Sequence, residues 1–533
     1  MKRLGTLLLG SFLLSAAQAD DLMQVYGQAV ESDPIFAQAQ STWHSQKMNI
    51  PIAEAGYLPQ LNLSGNWGRT YQNLSPISPG YPNYAWGYGY TLTLTQQIFN
   101  LQAWEKIKGA KANVKSATAT YLAAQQSLMQ RTAQAYFNVL QAYDRLRYTI
   151  ADKRAVWQQF LMAREQFRVG LIAVTDEYDA RSRYDKVVAQ QIAAQNNLNI
   201  QLEDLRVITG HDYKSLSRLG KRLPLVTPMP NNMERWVDVA TAQNYSIKAQ
   251  SFAVTAAMDN IKVQAAGGYP SLGLQGTSGQ VLGSYPGLGS VTQTSGTLGI
   301  ALSYNPIQGG SVIASTRQAR YDYVTASAAL EQAHRQVVDQ ARTSFLSVLS
   351  FMSQVKADKE SIMSSKSAFA ATEAGFKVGT RTMVDVLNDL SGVYSSQQAY
   401  ANDQYAYINN LIALKAAAGT LSVKDLEDIN KWLGKQIVFP EKTSVGKVPT
   451  ENDKRDVLIT NDIDGIQTKT EQKIVPVSAK TVVKPVVSAS ASIPSAPAST
   501  PVPVFAPTQS ITPIPAPATP QSSGLALPPP KAS

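Results

Sequence analysis

Two short stretches hold the residue types best able to act on an ion or a partner. Phe167-Arg168-Val169-Gly170 leads into Val174-Thr175-Asp176, and Phe376-Lys377-Val378-Gly379 leads into Arg381-Thr382-Met383-Val384-Asp385. A hydroxyl and a carboxylate just past a glycine turn suit the start of a returning helix, where they cap free N–H groups. Capping explains both aspartates without any further role. It does not explain Arg381, or the polar residues one turn further on, Asp179 in the first stretch and Asn388-Asp389 in the second. If copies of the chain surround an axis, Asp385 recurs once per copy as a ring of negative charge. Such rings bind cations and can hold a gate. Capping and gating both stay open on these residues alone.

No other constellation carries chemistry. His44, His211 and His334 stand far apart in no metal-ligand spacing, and there is no cysteine to join them. Gly267-Gly268 and Gly309-Gly310 open neither a dinucleotide fingerprint nor a phosphate loop. No nucleophile–base pairing with a recognisable signature occurs, so no enzyme, cofactor or metal is expected.

The elements that must position these turns are themselves repeated. Phe167 and Phe376, Asp176 and Asp385, and Gly210 and Gly419 are separated by one constant interval, which marks an internal duplication. Leu101 to Val169 contains no proline and spaces Val114, Ala117, Tyr121, Ala124 and Leu128 three and four apart, an amphipathic helical period. At 1.5 Å per residue such a helix runs roughly 100 Å. Gly309 to Val378 repeats the pattern, and each helix is expected to return, over Thr175 to Gly210 and Met383 to Gly419. Helices of this length belong to coiled coils or helical barrels.

Ahead of each long helix the period changes to two. Pro59 to Trp67, Tyr88 to Thr95, Pro270 to Gly276 and Thr297 to Leu302 alternate apolar and polar residues and read as strands. The connectors Ser75 to Ala85 and Ser284 to Thr292 read as exposed loops. Trp67, Tyr71, Tyr81, Tyr84, Trp86, Tyr88 and Tyr90 fit cross-strand packing or a girdle at a membrane interface. Four strands cannot close a barrel, and lipid does not tolerate an open edge, so spanning strands would need several copies in one barrel. Three copies give twelve strands; two or four satisfy the arithmetic as well.

Met1-Lys2-Arg3, the apolar run Leu4 to Ala16 and Ala17-Gln18-Ala19 form a signal peptide, and its export context favours the girdle. No segment is apolar enough for a spanning helix. The net charge of +10 is dispersed, with no basic arm for nucleic acid. The expected organisation is a signal peptide over 1–19, a first repeat over 20–215, a linker over 216–234, a second repeat over 235–433 and a Pro/Ala/Ser-rich disordered tail over 434–533.

The stretch Glu373 to Leu387, with Val169 to Asp176 and Ala416 to Leu421, resembles the TolC family of outer-membrane channel-tunnels, and the likeness runs from about Asp21 to Trp432. The resemblance implies a mainly α fold with a small β part. A homotrimer would form a twelve-stranded outer-membrane β-barrel, four strands per chain, continued by a long α-helical barrel in the periplasm. It further implies passive conduction of substrates for efflux or type I secretion. The implied partners are outer-membrane lipid, a periplasmic adaptor and an inner-membrane pump of ABC, RND or MFS type. The alternative is a non-conducting coiled-coil adaptor or surface adhesin. By position, the family's closed entrance would be held by Arg381 bonding Thr175 and by Asp176 bonding residue 376, with an acidic ring at Asp385. Two positions depart from the pattern. Phe376 stands where the family has a tyrosine hydroxyl, a loss of about 1.5–3 kcal/mol for a charged hydrogen bond. Asn388 stands where the family has a second aspartate ring. A gate that opens more easily and blocks less readily with multivalent cations is expected.

Overall fold

The computed structural model describes residues 20–71, 84–220, 223–285 and 289–439. The expected signal peptide, Tyr81, most of the first strand connector and nearly all of the expected tail lie outside the described residues. The first repeat runs α1 (Leu22–Ser32), α2 (Pro34–Lys47), α3 (Asn49–Ala55), β1 (Gln60–Tyr71), β2 (Tyr84–Phe99), α4 (Leu101–Arg168) and α5 (Val174–Thr209). After β3 (Ser215–Leu219), the second runs α6 (Met233–Gln243), α7 (Tyr245–Ala266), β4 (Ser271–Tyr285), β5 (Gly289–Ser303), α8 (Ser311–Lys377) and α9 (Met383–Ala417). Helix α10 (Val423–Asn430) and strand β6 (Leu433–Val438) follow. No described helix is long and apolar enough to cross a membrane.

Local chemistry sets where the elements start. Asp21 and Gln24 form a capping box on α1. Asp33 caps α2 through the Phe36 N–H at 2.8 Å, with Pro34 at the first helical position, and also takes the Arg131 guanidinium at 2.7 Å. Asn100 alone joins β2 to α4, its side chain accepting from the Ala103 N–H at 3.0 Å. The matching junction before α8 is built differently. Gly309 and Gly310 both adopt positive φ, at 57° and 81°, and no side chain caps the helix.

The four long strands form one antiparallel sheet in the order β1-β2-β4-β5, which leaves β1 and β5 at the edges. The strands are longer than the alternation alone indicates. The second connector in particular is mostly strand, because Ser284 pairs with Ser290 and Tyr285 with Gly289. Alternation at these positions is masked by Gly and Ser, whose small side chains give no apolar signal. The register puts Leu61, Leu63, Trp67, Leu92, Leu94, Leu274, Leu298, Ile300 and Leu302 on one face. Leu298 is 73% exposed and Trp67 76%. Asn62, Ser64, Asn66, Thr91, Thr93, Gln275, Thr277, Ser295 and Thr297 occupy the other face. An exposed apolar face opposite a polar one is the pattern of a membrane barrel wall.

A small second sheet was not foreseen. Strand β3 runs from the last residue of the expected first repeat into the stretch read as a linker, and it pairs with β6, which runs from the last residue of the expected second repeat into the stretch read as a tail. Both strands are too short to show a period. They close over α4 at its best-packed region, where Tyr136, Phe137, Leu140 and Leu146 are fully buried among α1, α5, α9 and α10. Tyr136 donates to the Ser217 carbonyl at 2.6 Å, and the Tyr407 hydroxyl bonds both backbone groups of Val226. Beneath β3, Asp144 accepts from the Tyr405 hydroxyl at 2.8 Å and pairs with Arg147 and Arg218, each at 3.4 Å. This buried cluster fastens the small sheet to α4 and α9.

Two outcomes follow for stability. Tyr405→Phe leaves one oxygen of the buried Asp144 carboxylate without its donor, so guanidinium unfolding should report a loss of about 1.5–3 kcal/mol. Lower on α4, burial pushes the Asp152 carboxyl up to about 6 against the opposing pull of Arg183. Between pH ~4 and ~6 the folded chain therefore holds a proton that the unfolded chain has released, and stability falls as pH rises through that window. Asp152→Asn should flatten the fall, as read from unfolding midpoints between pH 4 and pH 7.

Candidate functional site

Both long helices end in the same backbone device. Gly170 and Gly379 take positive φ, at 75° and 76°. Around the first, Leu171 N–H bonds Gln166 C=O and Gly170 N–H bonds Phe167 C=O, both at 2.9 Å. Around the second, Thr380 N–H bonds Gly375 C=O at 2.9 Å and Gly379 N–H bonds Phe376 C=O at 3.0 Å. This paired pattern is a Schellman motif, which satisfies the last free carbonyls and needs a left-handed residue that only glycine adopts without strain. Each turn leads directly into a return helix.

The two tips lie at the same end of the chain's helices. Met383, Val386, Leu387 and Leu390 of α9 pack with Val156, Phe160 and Ala163 of α4 and with Ala180 of α5. Ile172 and Phe376 flank this cluster. Phe376 is half-buried there, so its ring serves apolar packing where a tyrosine would present a hydroxyl. Thr175, Arg381 and Asn388 are exposed, and Asp176 and Asp385 are half-buried. Among the described residues of one chain, no hydrogen bond joins Arg381 to Thr175, and none reaches from Asp176 to Phe376.

The starts of the return helices differ. In the second copy Thr382 is the N-cap: the Asp385 N–H bonds its hydroxyl at 3.2 Å, while Asp385 accepts from the Thr382 N–H at 3.0 Å and from its hydroxyl at 2.9 Å. These bonds, with a smaller contribution from the Arg381 charge, hold the Asp385 carboxyl below the usual carboxylate range. In the first copy the equivalent position is Ala173, and no side chain caps α5. The capping role read for Thr175 and Asp176 is therefore not what the structure has. They occupy the second and third helical positions, past the cap, because the hydroxyl that would define the cap is absent. Asp385 closes the cap and stays ionised at the tip.

Gly375 escaped the sequence reading. A Cβ there would lie 2.8 Å from the Arg381 Cγ, so only glycine lets the arginine stem cross the last turn of α8. The signal was available: the first copy has Gln166 at the matching position and Ile172 in place of the arginine. Asp389, next to Asn388, accepts from the Thr372 hydroxyl of α8 and is thereby drawn toward the hairpin's own interior.

The comparisons agree with this geometry. The model of the outer membrane efflux protein family matches the chain twice, over residues 25–211 and 236–420, one match per repeat. The chain is 34% identical to the outer membrane protein TolC of Escherichia coli over 469 residues, 85% of this chain and 93% of that protein. It is 27% identical to the alkaline protease secretion protein AprF of Pseudomonas aeruginosa, over 80% of this chain and 91% of that one. The solved CmeC outer membrane channel of Campylobacter jejuni shares the fold with a TM-score of 0.66 at 18% identity, over 78% of this chain and 90% of that one. An adaptor or adhesin is set aside by these matches. The chain belongs to the outer membrane efflux protein family, as an outer-membrane channel of the kind that serves efflux or type I secretion.

Proposed function

We propose that three copies of the chain close one twelve-stranded barrel and carry substrates passively from a periplasmic adaptor and an inner-membrane pump of ABC, RND or MFS type to the exterior. The sheet with open edges β1 and β5 carries this reading. A strand edge in lipid leaves N–H and C=O groups unpaired at several kcal/mol each, so the edges must meet other copies. Three chains give an even strand count within the range of such barrels. Much of α8 is also exposed, as a helix lining a shared helical barrel would be before its neighbours are added.

The paired hairpin tips then form the periplasmic entrance. Arg381 reaches Thr175 across the boundary between neighbouring coiled coils, with Gly375 clearing its path. The Asp385 carboxylates form a single acidic ring. Phe376 gives Asp176 no hydroxyl, and Asn388 supplies no second ring, so this entrance is held by fewer polar links than one with both. The cargo class follows the partners: relatives of this chain are named for protease secretion in two cases and for efflux in another.

Planar-bilayer recording of the purified protein tests the channel and its gate together. A heat-dissociable trimer with steady conductance is expected, and a monomer that passes no current overturns the reading. Arg381→Ser removes a charged hydrogen bond, shifts the closed–open balance by about 1.5–3 kcal/mol per link, and should raise conductance. Unchanged conductance would mean that Arg381 holds nothing shut. Asn388→Asp adds a second acidic ring and should strengthen block by a trivalent cation; equal block in variant and parent would remove the ring from the account.

A further inference from the structure

Between Glu54 and Glu105 the chain has one charged side chain, Arg69, and between Lys262 and Arg317 it has none. These two stretches contain all four strands of the large sheet. Arg69 is thus the single ion in the wall, and register fixes its face. It pairs with Trp86 and alternates with Trp67, Leu63 and Leu61, so it lies on the apolar outward side. Its guanidinium sits over the Trp86 ring at 6.0 Å, and Trp86 stacks on Trp67 with ring centroids 5.1 Å apart.

Its height follows from the chain path. Gln60 and Phe99 are at the end where the sheet meets the helices, and Tyr71 is at the far end. Arg69 stands eight residues beyond Leu61, about 20 Å up a strand tilted ~40°, near the top of an apolar band about 25 Å tall. An arginine at the bilayer centre costs several kcal/mol, whereas one at the interface costs little. The far interface of an outer membrane is the headgroup layer of its outer leaflet.

We propose that Arg69, braced by Trp86 and Trp67, binds the phosphate of a phosphorylated glycolipid in the outer leaflet. A guanidinium has five N–H donors in a planar fork that matches phosphate. Its stacking on an indole keeps the fork oriented. The aromatic faces below it give the sugar–acyl boundary an amphipathic support. The proposal rests on closure of the barrel, which also sets the neighbouring surface. Below this height the outward faces of β4 and β5 carry Gln280 and Thr294, joined at 3.3 Å and level with Gly65, with Thr292 level with Trp67. Once β5 of one copy lies beside β1 of the next, Thr292 and Thr294 stand at the seam on the membrane side of Arg69, where they can bond sugar hydroxyls. The second hairpin has no aromatic equivalent there, so the lipid site belongs to the seam between copies.

Full-length protein in phosphatidylcholine nanodiscs, titrated with bis-phosphorylated lipid A and read by native mass spectrometry, tests this. Arg69→Gln should weaken lipid A retention about five- to tenfold, and Arg69→Lys, which keeps the charge, by less than about threefold. Dephosphorylated lipid A should bind the unaltered protein as weakly as lipid A binds Arg69→Gln, and millimolar inorganic phosphate should displace nothing. Equal retention by Arg69→Gln, or equal binding of dephosphorylated lipid A, overturns the proposal. Competition by inorganic phosphate overturns it too, by revealing a free-anion site. Should Arg69→Gln not assemble, the dephosphorylated arm decides on the unaltered protein. Bilayer conductance of the same preparations separates failure of the lipid site from failure of the barrel.

Discussion

Everything in this chain depends on a backbone constraint: in hydrocarbon, no peptide group can be left without a partner. The four-stranded sheet meets the constraint internally at six of its eight strand sides and leaves two, along β1 and β5, to other copies. Assembly is therefore part of folding in the membrane. The helices inherit their positions from that closure, since each long helix starts within a few residues of a strand end, at Asn100 and at Gly309-Gly310. The tips, some 100 Å away along α4 and α8, are placed by a sheet they never touch.

Duplication supplied two hairpins of matching length and turn geometry, and the gate candidates come from where their tips diverge. The Schellman turns are the same in both, because a helix that must reverse over a few residues has few ways to satisfy its last carbonyls. The starts of the return helices carry no such restriction. There Thr382 and Ala173, Arg381 and Ile172, and Gly375 and Gln166 have separated. One tip is a capped helix with a cation laid over its neighbouring turn; the other is uncapped and offers a hydroxyl and a carboxylate. Donor and acceptor have been sorted onto opposite hairpins, which suits a bond between them.

Much of this was legible in the residues. The long helices were found almost to the residue, because a 3.6 period sustained without proline over 60 or more positions has no competing explanation. The strands were located but cut short, since Gly and Ser at Gly279, Gly283 and Ser284 carry no alternation. Strands β3 and β6 were missed entirely: at five and six residues they show no period, and their partnership joins positions more than 200 residues apart. At the tips, residue identity and position were readable while capping was not. Whether a threonine or aspartate caps depends on which residue leaves the helical region first, and at α5 that residue is Ala173.

The two strand-to-helix junctions differ in mechanical stiffness. Asn100 passes from strand to helix in one residue and its own side chain caps the helix, so α4 follows β2 with no intervening loop. Gly309 and Gly310 give α8 two adjacent residues with wide rotational freedom and no capping bond. Torque applied at the far end of the second hairpin can therefore dissipate as rotation about these glycines before it reaches β5. Torque on the first hairpin is transmitted to β2. The duplicated hairpins thus divide the load: one behaves as a strut fixed to the wall and the other as a lever on a swivel, and the swivelled one carries Arg381 and Asp385.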